Sequence, residues 1–305
     1  MEMQAAVLRT LLYYDIWSHP LTEEELFTFL PVNSMTFEQF REQLRAMPRD
    51  VVTSRDGFYF LTAKSSAVVK QRLRRMRHAR RMWLLARFGT HVIKRFPFVR
   101  AVFVSGDLSK NATHKKSDVD FFIVTEPGRL WITRTLLVLF KKVVFLNSKK
   151  FFCINSLVAT DALQFDEHNI YTATEVATLK PLYNSKLFFE YLKANEWIKQ
   201  YFPNFEPKNL WLPACNNKAS VLQRLLELPF RLIDADRLDV RLMEMMRRVW
   251  AQRYPTVDEQ TRARIFRCTR GDSRAFVGNF QEAILALYAQ RLNRFGLTTD
   301  TRFWS

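Results

Sequence analysis

The stretch that decides the fold is Ser105-Gly106-Asp107, then ten further residues, then Asp118-Val119-Asp120-Phe121-Phe122-Ile123-Val124. The segments on either side of the ten-residue spacer are apolar and rich in β-forming residues, which predicts two buried sheet strands. Because residues two apart on a strand project to the same face, Asp118 and Asp120 are predicted to lie side by side.

Two carboxylates at such a position repel each other unless a cation lies between them or one of them takes up a proton. Mg²⁺ prefers hard oxygen ligands and is usually held by one or two carboxylates together with a substrate phosphate. The motif therefore predicts a phosphoryl-transfer site with Mg²⁺ as its cofactor. The alternative is a pair of acids at a strand end that face solvent.

Gly106, the ten-residue spacer and Asp118-Val119-Asp120 resemble the signature of the DNA polymerase β-like nucleotidyltransferase superfamily. Residues from about Pro97 to Arg134 also resemble bacterial proteins known only as nucleotidyltransferase-domain proteins, and a weaker similarity continues to Pro181. The resemblance implies transfer of NMP from an NTP partner to an acceptor that it does not identify. It implies catalytic and metal-binding roles for Asp118 and Asp120, and nucleotide binding by Ser105, Gly106, Asp107, Ser109, Lys110 and Ser117.

The chain departs from this signature at Asp107, where the family has Ser. A third negative charge beside the phosphates is unfavourable unless a cation offsets it, and Lys110, Lys115 and Lys116 in the same loop are the candidates for that role. Ser105 or Ser109 is the candidate to replace the hydroxyl. The alternative is a chain that kept the fold and lost the activity, acting in nucleic-acid binding or regulation.

Many members of the family have a third carboxylate. The strand predicted over Phe151–Val158 carries Asn155 but no acid, which leaves Asp161 as the candidate, with a turn or cap residue as the alternative.

Arg129 begins a helix predicted over Arg129–Lys142, directly after the Asp-x-Asp strand. Because helix N-termini and guanidinium groups both bind phosphate, Arg129 is a predicted nucleotide contact. The alternative is an ordinary surface arginine.

The composition indicates a globular protein, with 48% hydrophobic and 14% aromatic residues in a chain of 305. The three cysteines are far apart and the N-terminus has no basic region followed by an apolar core, so we expect a cytoplasmic location. The longest apolar stretches, such as Leu136–Phe140, are interrupted by charge. We therefore expect no membrane partner.

The charge is unevenly distributed around a formal net charge of +17. Between Gly57 and Gly106 there are twelve Lys and Arg residues and no Asp or Glu. Interleaved apolar residues predict a long helix with one buried and one basic face in residues 64–95. Such a face attracts polyanions, which makes a nucleic acid the predicted partner. The alternative is a solvated helix that pairs with acidic surface elsewhere in the fold.

The order of elements predicts an α+β fold with four parts. Capping boxes at Thr22-x-x-Glu25 and Thr36-x-x-Gln39 and a turn at Asp56-Gly57 predict three short helices and a hairpin, the pattern of a winged-helix-like module in residues 1–63. The basic connecting helix (64–95) leads to a small mixed-sheet nucleotidyltransferase core (96–183), in which Thr172-x-x-Glu175 predicts another capping box. Residues 184–305 read as a helical C-terminal region, with helices that include Asp258–Cys268 and Ser273–Phe295.

Overall fold

The computed structural model describes residues 2–33, 35–144, 152–207, 212–218, 220–275 and 280–298, and these ranges form a mixed α+β structure. The α-helices are α1 (Glu2–Tyr14), α2 (Glu23–Thr28), α3 (Phe37–Ala46), α4 (Ala67–Ile93), α5 (Gly106–Ser109), α6 (Leu130–Val144), α7 (Ile170–Thr178), α8 (Ser185–Ala194), α9 (Val221–Glu227), α10 (Ala235–Arg253), α11 (Glu259–Ile265) and α12 (Phe280–Arg294). The strands are β1 (Val52–Arg55), β2 (Phe58–Leu61), β3 (Val99–Val104), β4 (Asp120–Thr125), β5 (Cys153–Ala159), β6 (Lys180–Tyr183), β7 (Phe266–Cys268) and β8 (Asp272–Ala275). Short 3₁₀ helices cover Asp15–Trp17, Glu196–Gln200 and Leu228–Arg231.

The central sheet has six strands in the order β6-β3-β4-β5-β8-β7. Only the β4–β5 pair is parallel, and α6 makes the crossover between these two strands. Asp120 is the first residue of β4 and is in register with Cys153, the first residue of β5. The predicted strands around the two motif segments are therefore confirmed. The end of β3 and the start of β4 lie at the same end of the sheet, so the two motif segments are close together.

Side chains alternate between two buried faces along the central strands. Phe103 and Phe122 stack on one face at a centroid distance of 5.9 Å, in the cluster that also holds α1, α7, α8 and α12. Phe121 and Ile123 belong to the opposite face, where α4, α6 and α10 pack. Both faces of β4 are covered, which explains why its sequence is a continuous apolar run.

The long basic helix α4 reaches the sheet at Gly89. A Cβ at this position would lie 2.6 Å from Cζ of Phe121, so only glycine allows the approach. The opposite side of α4 is exposed and carries Lys70, Arg74, Arg77, Arg80, Arg81 and Arg87. The predicted long helix with an exposed basic face is confirmed, but the separation of faces is incomplete, because Leu84 and Phe88 are exposed and Arg72 is buried.

The first 63 residues contain the three predicted helices followed by the predicted hairpin. Both capping boxes are present, with Thr22 and Thr36 accepting from the backbone N–H groups of Glu25 and Gln39. Leu21 pairs with Tyr59 through two backbone hydrogen bonds of 3.1 and 2.7 Å, which adds a third short strand segment to the hairpin.

Three predictions for the second half of the chain are wrong. Thr172 lies inside α7, whose N-cap is Asn169, so there is no capping box at Thr172. The helices predicted over Asp258–Cys268 and Ser273–Phe295 are each interrupted, because β7 and β8 form in these segments. β8 pairs with the exposed edge of β5, and this pairing favours strand over helix locally. The strand predicted over Phe151–Val158 corresponds to β5, and its first residue, Phe151, lies outside the described residues.

A single cluster of buried apolar side chains runs from Ala6 in α1 to Leu292 in α12, and it includes the sheet face that carries Phe103. Tyr13 and Tyr288 make an edge-to-face contact at 5.2 Å within this cluster. The two ends of the described chain therefore share one core.

No helix in the described ranges is long and apolar enough to cross a membrane.

Candidate active site

The turn between β3 and α5 brings its backbone against the first residue of β4. Gly106 has a φ of +64°, and a Cβ there would overlap Oδ2 of Asp120. The N–H of Ser105 donates to the carbonyl of Asp120 at 3.0 Å. Gly106 is thus required both by its left-handed backbone and by the close approach of the Asp120 carboxylate.

Asp118, Asp120 and Cys153 form one cluster, in which the candidate ligand atoms all lie within 4.8 Å of one another. Asp118 comes just before β4 and Asp120 begins it, so the predicted convergence of the two carboxylates is present. The Cys153 thiol lies within hydrogen-bonding reach of both Asp118 and Asp120. Cys153 enters the cluster because β5 is parallel to β4 and in register with it.

Burial raises the pKa of Asp120 to about 7, and the negative charge of Asp118 acts in the same direction, followed by those of Asp107 and Glu175. Burial also raises the pKa of the Cys153 thiol, together with the neighbouring carboxylates, so the sulfur is protonated at neutral pH. The cluster concentrates negative charge that a proton or a cation must offset.

The loop between α5 and β4 is held together by Asp107. Its carboxylate accepts from Oγ of Ser117 at 2.6 Å and lies 3.7 Å from Nε2 of His114. The N–H of His114 in turn donates to Oγ of Ser117 at 3.0 Å. Asp107 therefore has a structural role in ordering the loop as well as a place in the wall of the site cavity.

Besides Ser117, the predicted nucleotide ligands Ser109 and Lys110 are occupied by contacts within the protein. Oγ of Ser109 is turned inward and donates to the carbonyl of Gly106 at 2.9 Å. Nζ of Lys110 donates to Oε1 of Glu175 at 2.8 Å, so the lysine offsets Glu175 rather than Asp107. Lys110 nevertheless lines the cavity beside Asp120, whereas Ser109 does not.

A cavity of about 620 Å³ opens onto the cluster, a size typical of small-molecule sites. Ser105, Gly106, Asp107 and Asp120 form the part of its wall that was predicted from the motif. The other walls come from the N-terminal region and from α7, through residues that include Tyr13, Tyr14, Trp17, His19, Tyr171 and Glu175.

Two predicted site residues lie elsewhere. Arg129 follows the far end of β4, a strand of six residues that spans roughly 20 Å, and its Nη1 donates to Oδ1 of Asp236 at 2.6 Å. Asp161 follows the far end of β5 and lies near Gly271. Neither residue joins the cluster, for one reason: the chain leaves the site along each strand, so a residue beyond the strand's end is at the opposite end of the sheet.

Sequence reasoning missed three charged or polar residues near the cluster. Cys153 has no carboxylate, so the family pattern of acids does not identify it. Glu175 reaches the cavity from α7, and Lys141, near the end of α6, is close enough to lower the pKa of Cys153. The crossover explains why Lys141 is near the cluster. Helix α6 starts at the end of the sheet remote from the site and returns toward the start of β5. No local pattern identifies Glu175 or Lys141.

The donor set fits Mg²⁺ through its two carboxylates, which can be joined by substrate oxygens, while the protonated thiol of Cys153 is a poor ligand for a hard cation.

No family model, curated protein or solved structure matches this chain. The geometry of the site therefore carries the functional argument.

Proposed function

We propose that the chain is a Mg²⁺-dependent nucleotidyltransferase that transfers NMP from an NTP to an acceptor. The observation that carries the proposal is the packing of Gly106, with its φ of +64°, directly against the carboxylate of Asp120, which lines the cavity and converges with the carboxylate of Asp118. A glycine turn that allows close backbone approach beside two acids suits a triphosphate and its counter-ion.

In this proposal Asp118 and Asp120 hold the ion. Bound Mg²⁺ supplies charge stabilisation for an in-line displacement at phosphorus. The backbone of Ser105 and Gly106 positions the phosphates, and the Lys110–Glu175 pair fixes the α7 wall of the cavity. Substrate positioning supplies the rest of the catalysis, so no side-chain nucleophile is needed.

The N-terminal region, with its three helices, hairpin and added strand segment, is assigned as a winged-helix-like module. In the proposed enzyme its task is to close the cavity, because Tyr13, Tyr14 and Trp17 form one of the walls. On α3, Arg41 is bound to Glu23 at 2.9 Å and lies over the ring of Phe37, so it is engaged inside the module.

The test is calorimetric titration of each of the four NTPs, with and without Mg²⁺, into the wild type and the Asp118→Asn/Asp120→Asn variant. We expect metal-dependent binding of at least one NTP to the wild type and none to the variant, with unchanged circular dichroism. The matched control is Asp161→Asn, an acid at the opposite edge of the sheet, which should bind as the wild type does. Retained metal-dependent binding by the double variant would contradict the proposal.

The second candidate is a catalytically degenerate nucleotidyltransferase-fold protein that binds nucleic acid or acts in regulation. Two observations favour it: Asp107 adds a carboxylate to the cavity wall, and α4 presents six exposed cations without an acidic residue in the helix. Arg72 and Arg75 are not part of that surface, since both bind groups of the N-terminal region.

Two variants separate the candidates. If Asp107→Ser creates Mg²⁺-dependent NTP binding that the wild type lacks, the native chain is the degenerate form. If α4 binds nucleic acid, Arg77→Gln/Arg81→Gln should weaken binding of a single-stranded oligonucleotide and reduce the slope of log affinity against log salt by about 1.4.

A further inference from the structure

Helix α9 has its polar side turned inward. Nε2 of Gln223 donates to the carbonyl of Val99 at the start of β3. Oε1 of Glu227 accepts from the N–H of Phe98 at 2.8 Å and from Nη1 of Arg100 at 2.9 Å. These polar contacts attach α9 to the end of β3 that is remote from Gly106.

The apolar side of the same segment faces outward. Every Val, Leu and Ile between residues 221 and 233 is exposed, with relative exposures from 44% to 88%. Arg224 and Arg231 are exposed among them, and Lys218 is exposed just before them. We call this surface the 221–233 face. A contiguous set of exposed apolar side chains rimmed by charged residues marks an interaction site.

The charge of the 221–233 face restricts what can cover it. Within the face Glu227 is the only acid, and it is turned inward to Arg100. The exposed Asp234 follows directly, so the exposed cations Lys218, Arg224 and Arg231 outnumber the exposed acid there. A second copy would bring the same surface against itself and set Arg224 and Arg231 against like charges. An anionic lipid surface offsets these cations and accepts the aliphatic side chains at the headgroup–acyl boundary.

We propose that the 221–233 face binds the surface of an anionic phospholipid bilayer. The segment lies on the bilayer and does not cross it, which is compatible with the absence of a spanning helix from the described residues. The proposal departs from the sequence-based expectation of no membrane partner, because that expectation concerned spanning segments only. β3 has six residues and spans roughly 20 Å, so the cavity at its other end stays open while the face is bound. The proposal does not depend on the chemistry assigned to that cavity.

The test is co-sedimentation of the full chain with vesicles of phosphatidylglycerol and phosphatidylcholine in equal parts, compared with vesicles of phosphatidylcholine alone. The main variant is Leu225→Gln/Leu232→Gln. The two side chains are 56% and 88% exposed, so their replacement should not disturb the packing of the fold. The matched control is Leu84→Gln/Phe88→Gln, two equally exposed apolar residues on the basic helix α4. A third variant, Arg224→Gln/Arg231→Gln, removes charge only.

We expect the wild type to bind the anionic vesicles, and Leu225→Gln/Leu232→Gln to lower the affinity by about tenfold or more, because two aliphatic side chains no longer enter the lipid. The α4 control should bind as the wild type does, and Arg224→Gln/Arg231→Gln should weaken binding to the anionic vesicles only. Absence of binding to anionic vesicles would overturn the proposal. So would equal losses in the α9 and α4 variants, or a dimer in sedimentation equilibrium that separates in the Leu225→Gln/Leu232→Gln variant.

Discussion

At the scale of single residues, the site depends on Gly106 more than on any other uncharged position. Its φ of +64° is accessible to other residues at a moderate energetic cost, but the space beside it is taken by the carboxylate of Asp120. Because that carboxylate is the end of a rotatable side chain, a methyl group at residue 106 moves Asp120 rather than breaking the fold. The effect belongs to function more than to stability.

Gly106→Ala is therefore expected to lower the free energy of unfolding by about 1 kcal/mol, the cost of the left-handed backbone. It should also lower Mn²⁺ affinity, measured by electron paramagnetic resonance, by about tenfold or more through displacement of Asp120. The matched control is Gly57→Ala, which has a φ of +78° but no atom within 4 Å of the added Cβ. The control should lose similar stability and no ion affinity; equal ion affinity in both variants would contradict this account.

Lys180 is a buried cation outside the carboxylate cluster. It begins β6 and lines a second cavity with Lys110, His19 and Glu25. Burial lowers its pKa to about 8; the carboxylate of Glu25 opposes this shift and the charge of Lys110 adds to it. The folded state therefore binds fewer protons than the unfolded state between pH 8 and the ordinary lysine pKa of 10.5, so Lys180 contributes stability that rises with pH in this window.

Below pH 8 the lysine is charged in both states, and its desolvation penalty is at its full size. Lys180→Met is expected to raise the free energy of unfolding at pH 7 by about 3 kcal/mol, with the gain shrinking to near zero by about pH 10.5. Urea denaturation of wild type and variant across this range measures the difference. A gain that is independent of pH would show that packing, rather than charge, is responsible.

At the scale of elements, the sequence predicted the helices and strands whose formation depends mainly on neighbouring residues. The capping boxes located the starts of α2 and α3, and the unbroken run of apolar residues located β3 and β4. The same type of signal failed at Thr172, because Asn169 is a competing N-cap three residues earlier. It failed at β8 because the strand is stabilised by pairing with β5, more than a hundred residues away in the chain.

The sequence pattern of α4 predicts the helix but not the buried contacts that its residue Arg72 makes with the N-terminal region and the motif loop. Arg72 is 2% exposed: its Nη2 donates to Oε1 of Glu25 at 2.7 Å, and its Nη1 to the carbonyl of Lys110 at 2.9 Å. Nη1 also donates to the His19 ring, whose pKa is lowered by burial and by the charge of Arg72, so the ring is neutral. One guanidinium thus joins the N-terminal region to the motif loop.

Arg72→Met is expected to lower the free energy of unfolding by about 2–3 kcal/mol, because Glu25 and the Lys110 carbonyl lose their donor in a largely buried place. Arg77→Met, on the exposed face of the same helix, should change it by less than about 0.5 kcal/mol. Guanidinium denaturation followed by circular dichroism gives both values. Similar losses in the two variants would mean that helix propensity, and not the buried contacts, sets the cost.

At the scale of the whole molecule, the site is assembled from regions that the sequence places far apart. The motif predicted the acids and the glycine turn, because these lie on adjacent strands joined by a short loop. It could not predict Glu175, Lys141 or the aromatic wall from α1, because their positions follow from how helices pack on the sheet. Arg129 and Asp161 are close to the motif strands in the chain but lie at the opposite end of the sheet, because each follows a strand that leads away from the site.

The shared core predicts that the two ends of the chain lose structure together. Tyr13 is 1% exposed and contacts Tyr288 of α12 edge to face at 5.2 Å, while also lining the site cavity. Tyr13→Ala should lower the free energy of unfolding by about 3–5 kcal/mol and reduce hydrogen-exchange protection in both α1 and α12. Phe88→Ala, at a side chain 60% exposed, is the matched control and should leave protection in both helices unchanged. Loss of protection in α1 alone would show that α12 is held by other contacts and that the N-terminal region opens as a separate unit.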